Sequence, residues 1–221
     1  MLLLKLITVL LPWKLKRIFL IKFFNYDIAP SARIGLSWIF PKKLIMKDGA
    51  KINHFTVAIH LDKITMESKA SISRDNWITG FPFNNKDPHF IHQTDRRAEL
   101  IMGESSAITK KHHLDCTNII SIGKFSIIAG YDSQFLTHSI DIIENRQHSA
   151  PIYIGDYCFV STNVAILGGS NLPSHSVLGA KALLNKSFDQ EYYLYGGVPA
   201  KEIQEISKDA KYFHRTSGFV Y

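Results

Sequence analysis

Two cysteines in 221 residues, Cys116 and Cys158, are too few for a disulfide framework, and the pair lacks metal-ligand spacing. Two buried, reduced thiols in a cytoplasmic protein are expected. Long apolar runs are scarce as well. In MLLLKLITVLLPWKLKRIFLIKFF, residues 1–24, Lys5 and Pro12 leave stretches well short of the roughly 20 residues a membrane span needs. No small-residue cleavage site follows, which argues against a signal peptide. The basic residues are scattered rather than striped, and no nucleic-acid motif occurs, so nucleic acid is not the expected partner. The net charge of +7 suits a phosphate-bearing cosubstrate or an anionic membrane surface equally well.

What is present is ordinary globular composition, with 46% apolar and 20% charged residues, enough to bury a full core. Residues 1–26 read as one or two apolar, basic helices. Lys14, Lys16, Arg17 and Lys22 do not fall on one clean face, so peripheral contact with the inner membrane surface and packing against the chain's own body both stay open.

From Ile154 onward an aliphatic residue recurs every six positions: Val160, Ile166, Leu172, Leu178, Leu184. Four places after each of the first five comes a small or modest residue: Cys158, Val164, Ser170, Ser176, Ala182. The same beat runs through Ile28, Ile34, Phe40, Met46, Ile52, Ala58 and Ile64, then restarts two residues late at Met66 and again at Ile122. A period of six fits neither a helix nor a plain alternating strand. It fits short strands joined by tight corners, three strands making a triangular coil of about 18 residues, with coils stacked so that backbone groups pair above and below. The two-residue slips read as corner insertions. Residues 82–99 and 131–151 break the beat and read as loops thrown out of the stack, where function usually sits. Residues 204–221 read as a short terminal helix and tail.

The stretch IGDYCFVSTNVAILGGSNLPSHSVLGAKALLNKSF, the ending GGVPAK (Gly196 to Lys201) and the segment THS (137–139) resemble the hexapeptide-repeat acyltransferases. The likeness covers about residues 100–205. It lies with the acetyl-coenzyme A branch, which includes galactoside, maltose and polysaccharide O-acetyltransferases. It implies an all-β fold, a left-handed parallel β-helix over residues 27–203, and a homotrimer with active sites between subunits. It also implies acetyl-CoA as co-substrate, with no metal.

The resemblance makes His138 the catalytic residue. An imidazole with a reference pKa of about 6.5 serves as base toward an acceptor hydroxyl and then as acid toward the leaving thiolate. Asp115 and Asp141 are candidates to orient it. Gln134 and Ser139 are candidate oxyanion donors, and Lys111 and His113 candidates to line the acceptor pocket. Adjacent strand residues point to opposite faces, so His112 and His113 do not pair easily on one ion. Resemblance places the coenzyme near Phe159, Ser161, Thr162, Gly179 and Ala180, with Lys181, Lys186 and Lys201 as candidates for its phosphates. His175 is expected to be an exposed corner residue without a role.

The leading reading is transfer of an acetyl group to a carbohydrate hydroxyl, with a surface-polysaccharide sugar (O-antigen or capsule) as acceptor. N-acetylation of a nucleotide-linked amino sugar, antibiotic O-acetylation and a structural β-helix without chemistry are the alternatives. A Gly-rich nucleotide domain, expected beside the amino-sugar enzymes, is missing. So are two histidines five apart, which a β-helix carbonic anhydrase requires.

Overall fold

The computed structural model describes residues 2–84 and 86–220. Two helices, α1 (Leu2–Leu10) and α2 (Trp13–Phe24), precede a stack of coils. Each coil runs through three short strands, and equivalent strands pair in parallel, giving sheets of seven, nine and seven strands among the described residues. On the first face Met46 pairs with Met66, Met66 with Met102, Met102 with Ile122, Ile122 with Ile154, and Ile154 with Leu172. The fold is the left-handed β-helix of hexapeptide repeats.

Most inward positions are those the six-residue beat marks; on Trp38–Phe40 it is Ile39, in register with Ala58, that faces the core, and Phe40 packs outward against Phe24. Ile154, Val160, Ile166, Leu172, Leu178 and Leu184 are all buried, and Cys158, Ser170, Ser176 and Ala182 fill the narrow corners beside them. The slips are corner insertions. Ile64, Ile120 and Ile152 share one register on the first face, which Ser170 continues. Six positions lead from Ala58 to Ile64 and from Leu114 to Ile120, but four from Ile166 to Ser170, so the two extra residues lie in the corner between the third and first faces.

Corners between the first and second faces place Phe125, Tyr157, His175 and Tyr192 in the left-handed region. Their rings stack from coil to coil at centroid distances of 4.9, 5.4 and 4.8 Å, with interplanar angles of 11° or less. Coil spacing is itself about 4.8 Å, so identical corners bring rings into stacking range without further adjustment. His175 therefore has a structural place: it lies between Tyr157 and Tyr192, with Nδ1 3.2 Å from a Glu191 carboxylate oxygen.

The terminal helix is not formed. Residues Lys201–Glu205 pair antiparallel with Tyr193–Gly196, and only Lys211–His214 makes a turn of 3-10 helix. The last strand of the stack offers an unpaired edge, and pairing it satisfies backbone groups that a helix would leave to water. Phe213 from the 3-10 turn is buried edge-on against His175 and Tyr192. At the opposite end α2 closes the first coil, with Leu20 in the core and Trp13 and Phe24 packed against it.

Candidate functional site

Both breaks in the repeat leave the stack from the same corner. The first departs after the strand Trp77–Thr79 and returns at Glu99; the second departs after Gln134–Leu136 and returns at Ile152. The strand His113–Asp115 pairs between those two departure strands. Its own corner, Asp115 to Asn118, continues without interruption and forms a floor between the two extruded segments.

The first segment is tied to this floor by a buried arginine. Arg96, 2% exposed, donates to the carbonyls of Phe81, Pro82 and Thr117. Its guanidinium lies 4.3 Å from the centre of the Phe90 ring. A buried charge needs such partners, and an aromatic face adds to them. Farther along, Gln93 donates to the Ser149 carbonyl and accepts from its hydroxyl at 2.8 Å each, fastening the first segment to the second.

The second segment is a β-hairpin and not a loop: His138–Asp141 pairs antiparallel with Arg146–Ser149. Gln134–Leu136, inside the stretch read as extruded, is an ordinary strand of the third face. Thr137 is buried at the hairpin's root, donating to the Asp115 carbonyl at 2.7 Å and accepting the Asn118 N–H at 2.8 Å. The hydroxyl before the histidine thus locks the departure corner to the floor. Alternation then puts His138, Ile140, Gln147 and Ser149 on the hairpin face toward the first segment, and Ser139, Asp141, Arg146 and His148 on the other.

His138 stands where these parts meet. Its side chain is 36% exposed, and Nδ1 is 3.7 Å from Oδ2 of Asp115, within ion-pair reach but longer than a hydrogen bond. The other carboxylate oxygen, Oδ1, is held by the Thr117 N–H at 2.9 Å and hydroxyl at 2.6 Å, which aims the carboxylate at the imidazole. Nε2 is 2.5 Å from Oε1 of Gln147, and Phe90 lies edge-on at 5.7 Å. A carboxylate only accepts, so the Nδ1 facing it carries a proton. Oε1 of Gln147 suits Nε2 only where that nitrogen carries a proton. In the neutral ring Nε2 has a lone pair, and the Gln147 amide turns its NH2 toward it. Either way Gln147 occupies the place that an acceptor hydroxyl must reach.

Of the sequence-derived candidates, the structure brings only Asp115 to His138. Asp141 lies on the opposite hairpin face, where its Oδ1 accepts the N–H groups of Ile143 and Glu144 and closes the turn; it does not orient the imidazole. Ser139 shares that opposite face. His113 and Gln134 pair with each other on the outer side of the third face, and Lys111 is an exposed corner residue at φ +57°. His112, buried beside them, accepts the Ser133 N–H at Nδ1 and meets the Thr109 hydroxyl with Nε2 at 2.9 Å. Burial pulls its pKa down to about 4. The thiols are buried too: burial first, then Asp115, pushes Cys116 up, and burial takes Cys158 to about 12. Both stay protonated and unreactive at neutral pH.

The coenzyme candidates fall elsewhere. Ser161, Thr162, Gly179, Ala180 and Lys181 form the corner at the start of the third-face strands Ala165–Leu167 and Leu183–Leu184, whereas His138 leaves near their far end. One side of the triangle, built on the strand Ala165–Leu167, separates Thr162 from Gly168. Gly168 adjoins the hairpin root; a Cβ there would lie 2.9 Å from the Thr137 carbonyl oxygen. Thr162 is spent on its own stack, exchanging hydrogen bonds with the Tyr131 backbone. At Gly179 a Cβ would meet the Tyr195 carbonyl oxygen at 3.4 Å, an ordinary contact. The chain itself therefore does not require glycine at 179, and the bare corner admits an outside molecule. Phe159 lines an apolar hollow with Val177, Ile206 and Tyr212, Lys186 lies 4.8 Å over Phe188, and Lys201 is exposed in the terminal antiparallel strand.

An open cleft of about 350 Å³ lies between the two segments, lined by Pro88, His89, Ile140, Asn145, Arg146 and Gln147, the last of which also contacts His138. Among the described residues no three His, Cys, Asp or Glu side chains gather as metal ligands.

No protein-family model matches the sequence, and no curated protein does. Solved structures do. A polysialic acid O-acetyltransferase, OatWY, superposes with a TM-score of 0.60 at 17% identity, covering 81% of this chain and 84% of its own. AntD, an N-acyltransferase from Bacillus cereus solved as a variant with dTDP and coenzyme A, gives 0.55 at 13% identity, covering 91% and 92%. A hexapeptide-repeat acetyltransferase from Vibrio cholerae complexed with acetyl coenzyme A gives 0.50 at 16%, covering 93% and 84%.

Proposed function

We propose that the chain is an acetyl-coenzyme A-dependent O-acetyltransferase acting on a carbohydrate hydroxyl, the acceptor being a sugar of a surface polysaccharide. The observation that carries this reading is His138, held between Asp115 and Gln147 where the two extruded segments meet. The likeness to OatWY and to the Vibrio enzyme, whose names specify acetyl transfer, supports it.

The chemistry follows from the residues. Nε2 of His138 takes the proton from the acceptor hydroxyl once Gln147 swings aside. The oxygen attacks the thioester carbonyl, and its new bond to carbon makes a tetrahedral oxyanion. Collapse breaks the carbon–sulfur bond, and the proton on Nε2 passes to the leaving thiolate, so the imidazole ends as it began. Asp115 steadies the imidazolium in between. Ser161, Ala180 and Lys181 would hold the coenzyme, the small corner allowing close approach of its pantetheine arm. In one chain that corner and His138 lie across the third face from each other. A second copy would bring its own corner to His138, which supports a homotrimer with shared sites.

Incubation with labelled acetyl-coenzyme A and a panel of glycans, amino-sugar nucleotides and antibiotics tests the proposal. Label is expected on a carbohydrate oxygen, with His138→Ala lowering kcat by about 10²–10⁴-fold. AntD favours a second reading, acylation of an amine on a nucleotide-linked sugar; label on nitrogen would select it. Thiol release that persists unchanged in His138→Ala overturns both.

A further inference from the structure

The inner sides of α1 and α2 pack toward the first coil, and their outer sides are exposed. On α1, Leu2, Leu3, Leu6, Ile7 and Leu10 are exposed, Leu3 by 71% and Leu10 by 76%. At 3.6 residues per turn these five fall within an arc of about 140° that contains no polar side chain. On α2, Leu15, Ile18 and Ile21 are exposed on a face that also carries Lys14 and Lys22. The first 26 residues hold five lysines and arginines and no acidic residue.

The pair is fixed in this orientation. Lys16 is buried between the helices and the stack, and Nζ donates to the Gly35 carbonyl at 2.6 Å and reaches the Val9 carbonyl at 3.5 Å. Thr8 on the inner side is buried. Arg17 donates twice to the Ile28 carbonyl. Lys5 leans back over Phe40, 5.1 Å from the ring centre. The inward residues are thus tied down by polar contacts, and rotation that would bury the leucines would break them.

We propose that the outer faces of α1 and α2 dock on an anionic lipid surface. The helices would lie in the plane of the interface, with the α1 leucines in the acyl boundary and Lys14 and Lys22 among the headgroups. An uncharged apolar arc beside a face of alternating aliphatic and lysine side chains matches that layered environment, since lysine stems lie along the apolar layer while their heads stay wet. The complete lack of carboxylates removes repulsion from lipid phosphates. Neither helix is long and apolar enough to cross a membrane. A second copy of the chain would bring its own Lys14 and Lys22 to the contact with no carboxylate to meet them, which disfavours self-association through this face.

Cosedimentation of the full-length protein with vesicles tests this apart from any catalytic activity. Vesicles of phosphatidylcholine with 30% phosphatidylglycerol, a composition of about one anionic lipid in three chosen for its surface potential, are expected to pellet the protein, and raised salt to release it. Leu6→Glu with Ile7→Glu, both at exposed positions, is expected to lower the bound fraction at least tenfold while leaving the melting curve in place. Lys14→Glu with Lys22→Glu is expected to abolish the preference for anionic vesicles. Equal binding to pure phosphatidylcholine, pelleting that the leucine variant does not change, or no pelleting overturns the proposal. A fall in solution mass of the leucine variant by light scattering would assign the face to a subunit contact and overturn it equally.

Discussion

Asp115 carries little exposed charge, yet its two oxygens have separate duties. One is bound by Thr117, and the other faces His138 at 3.7 Å. A carboxylate only accepts, so it keeps a proton on Nδ1 and leaves Nε2 to face the acceptor. Asp115→Asn is therefore expected to lower kcat by about tenfold or more with KM for acetyl-CoA little changed, as steady-state kinetics would show. An unchanged kcat would leave Asp115 a purely structural residue. His112 responds to pH through its burial. Its folded form is protonated only below about pH 4, whereas an imidazole in the unfolded chain takes up its proton near 6.5. Unfolding thus binds a proton throughout that window, and stability falls as pH drops through it, by up to about 3 kcal/mol. Denaturant titrations at pH 7 and pH 4.5 check this, with His112→Gln expected to flatten the difference.

Among the elements, the two extruded segments stand or fall together. Arg96→Met keeps the side-chain length but strips the donors from three carbonyls. The expected cost is about 2–4 kcal/mol, with limited proteolysis opening between residues 82 and 98 before the coils unfold. Cleavage at an unchanged rate would show that Gln93 and Ser149 suffice. This level also separates what could be read in the chain from what could not. The six-residue beat locates most inward residues from Ile28 to Leu184, because a coil repeats its geometry; it misses Phe135, in a stretch that reads as a loop, and marks Phe40 where Ile39 faces the core. Asp115 was legible for a related reason, since coil register places it against Leu136, whereas His138 was picked out by the resemblance of the THS segment. Gln147, Phe90, Gln93 and Arg96 were not. They reach the site through an antiparallel hairpin and an irregular segment, whose register depends on turn geometry rather than on any period. The hairpin's alternation also explains why Asp141 and Ser139 failed as partners of His138: they are an odd number of residues from it.

For the whole molecule, length is set by its ends. A parallel strand edge invites another chain to add the next layer, and a stack of identical coils offers one at either end. Here α2 lies across the first, and at the other the chain turns back on itself, so the outermost strand runs the wrong way to continue the parallel stack and presents Lys201, Glu202 and Glu205 to solvent. The solenoid is in this sense a polymer that encodes its own terminators: a helix over one end and a reversed, charged strand at the other leave neither a ready template for the next layer.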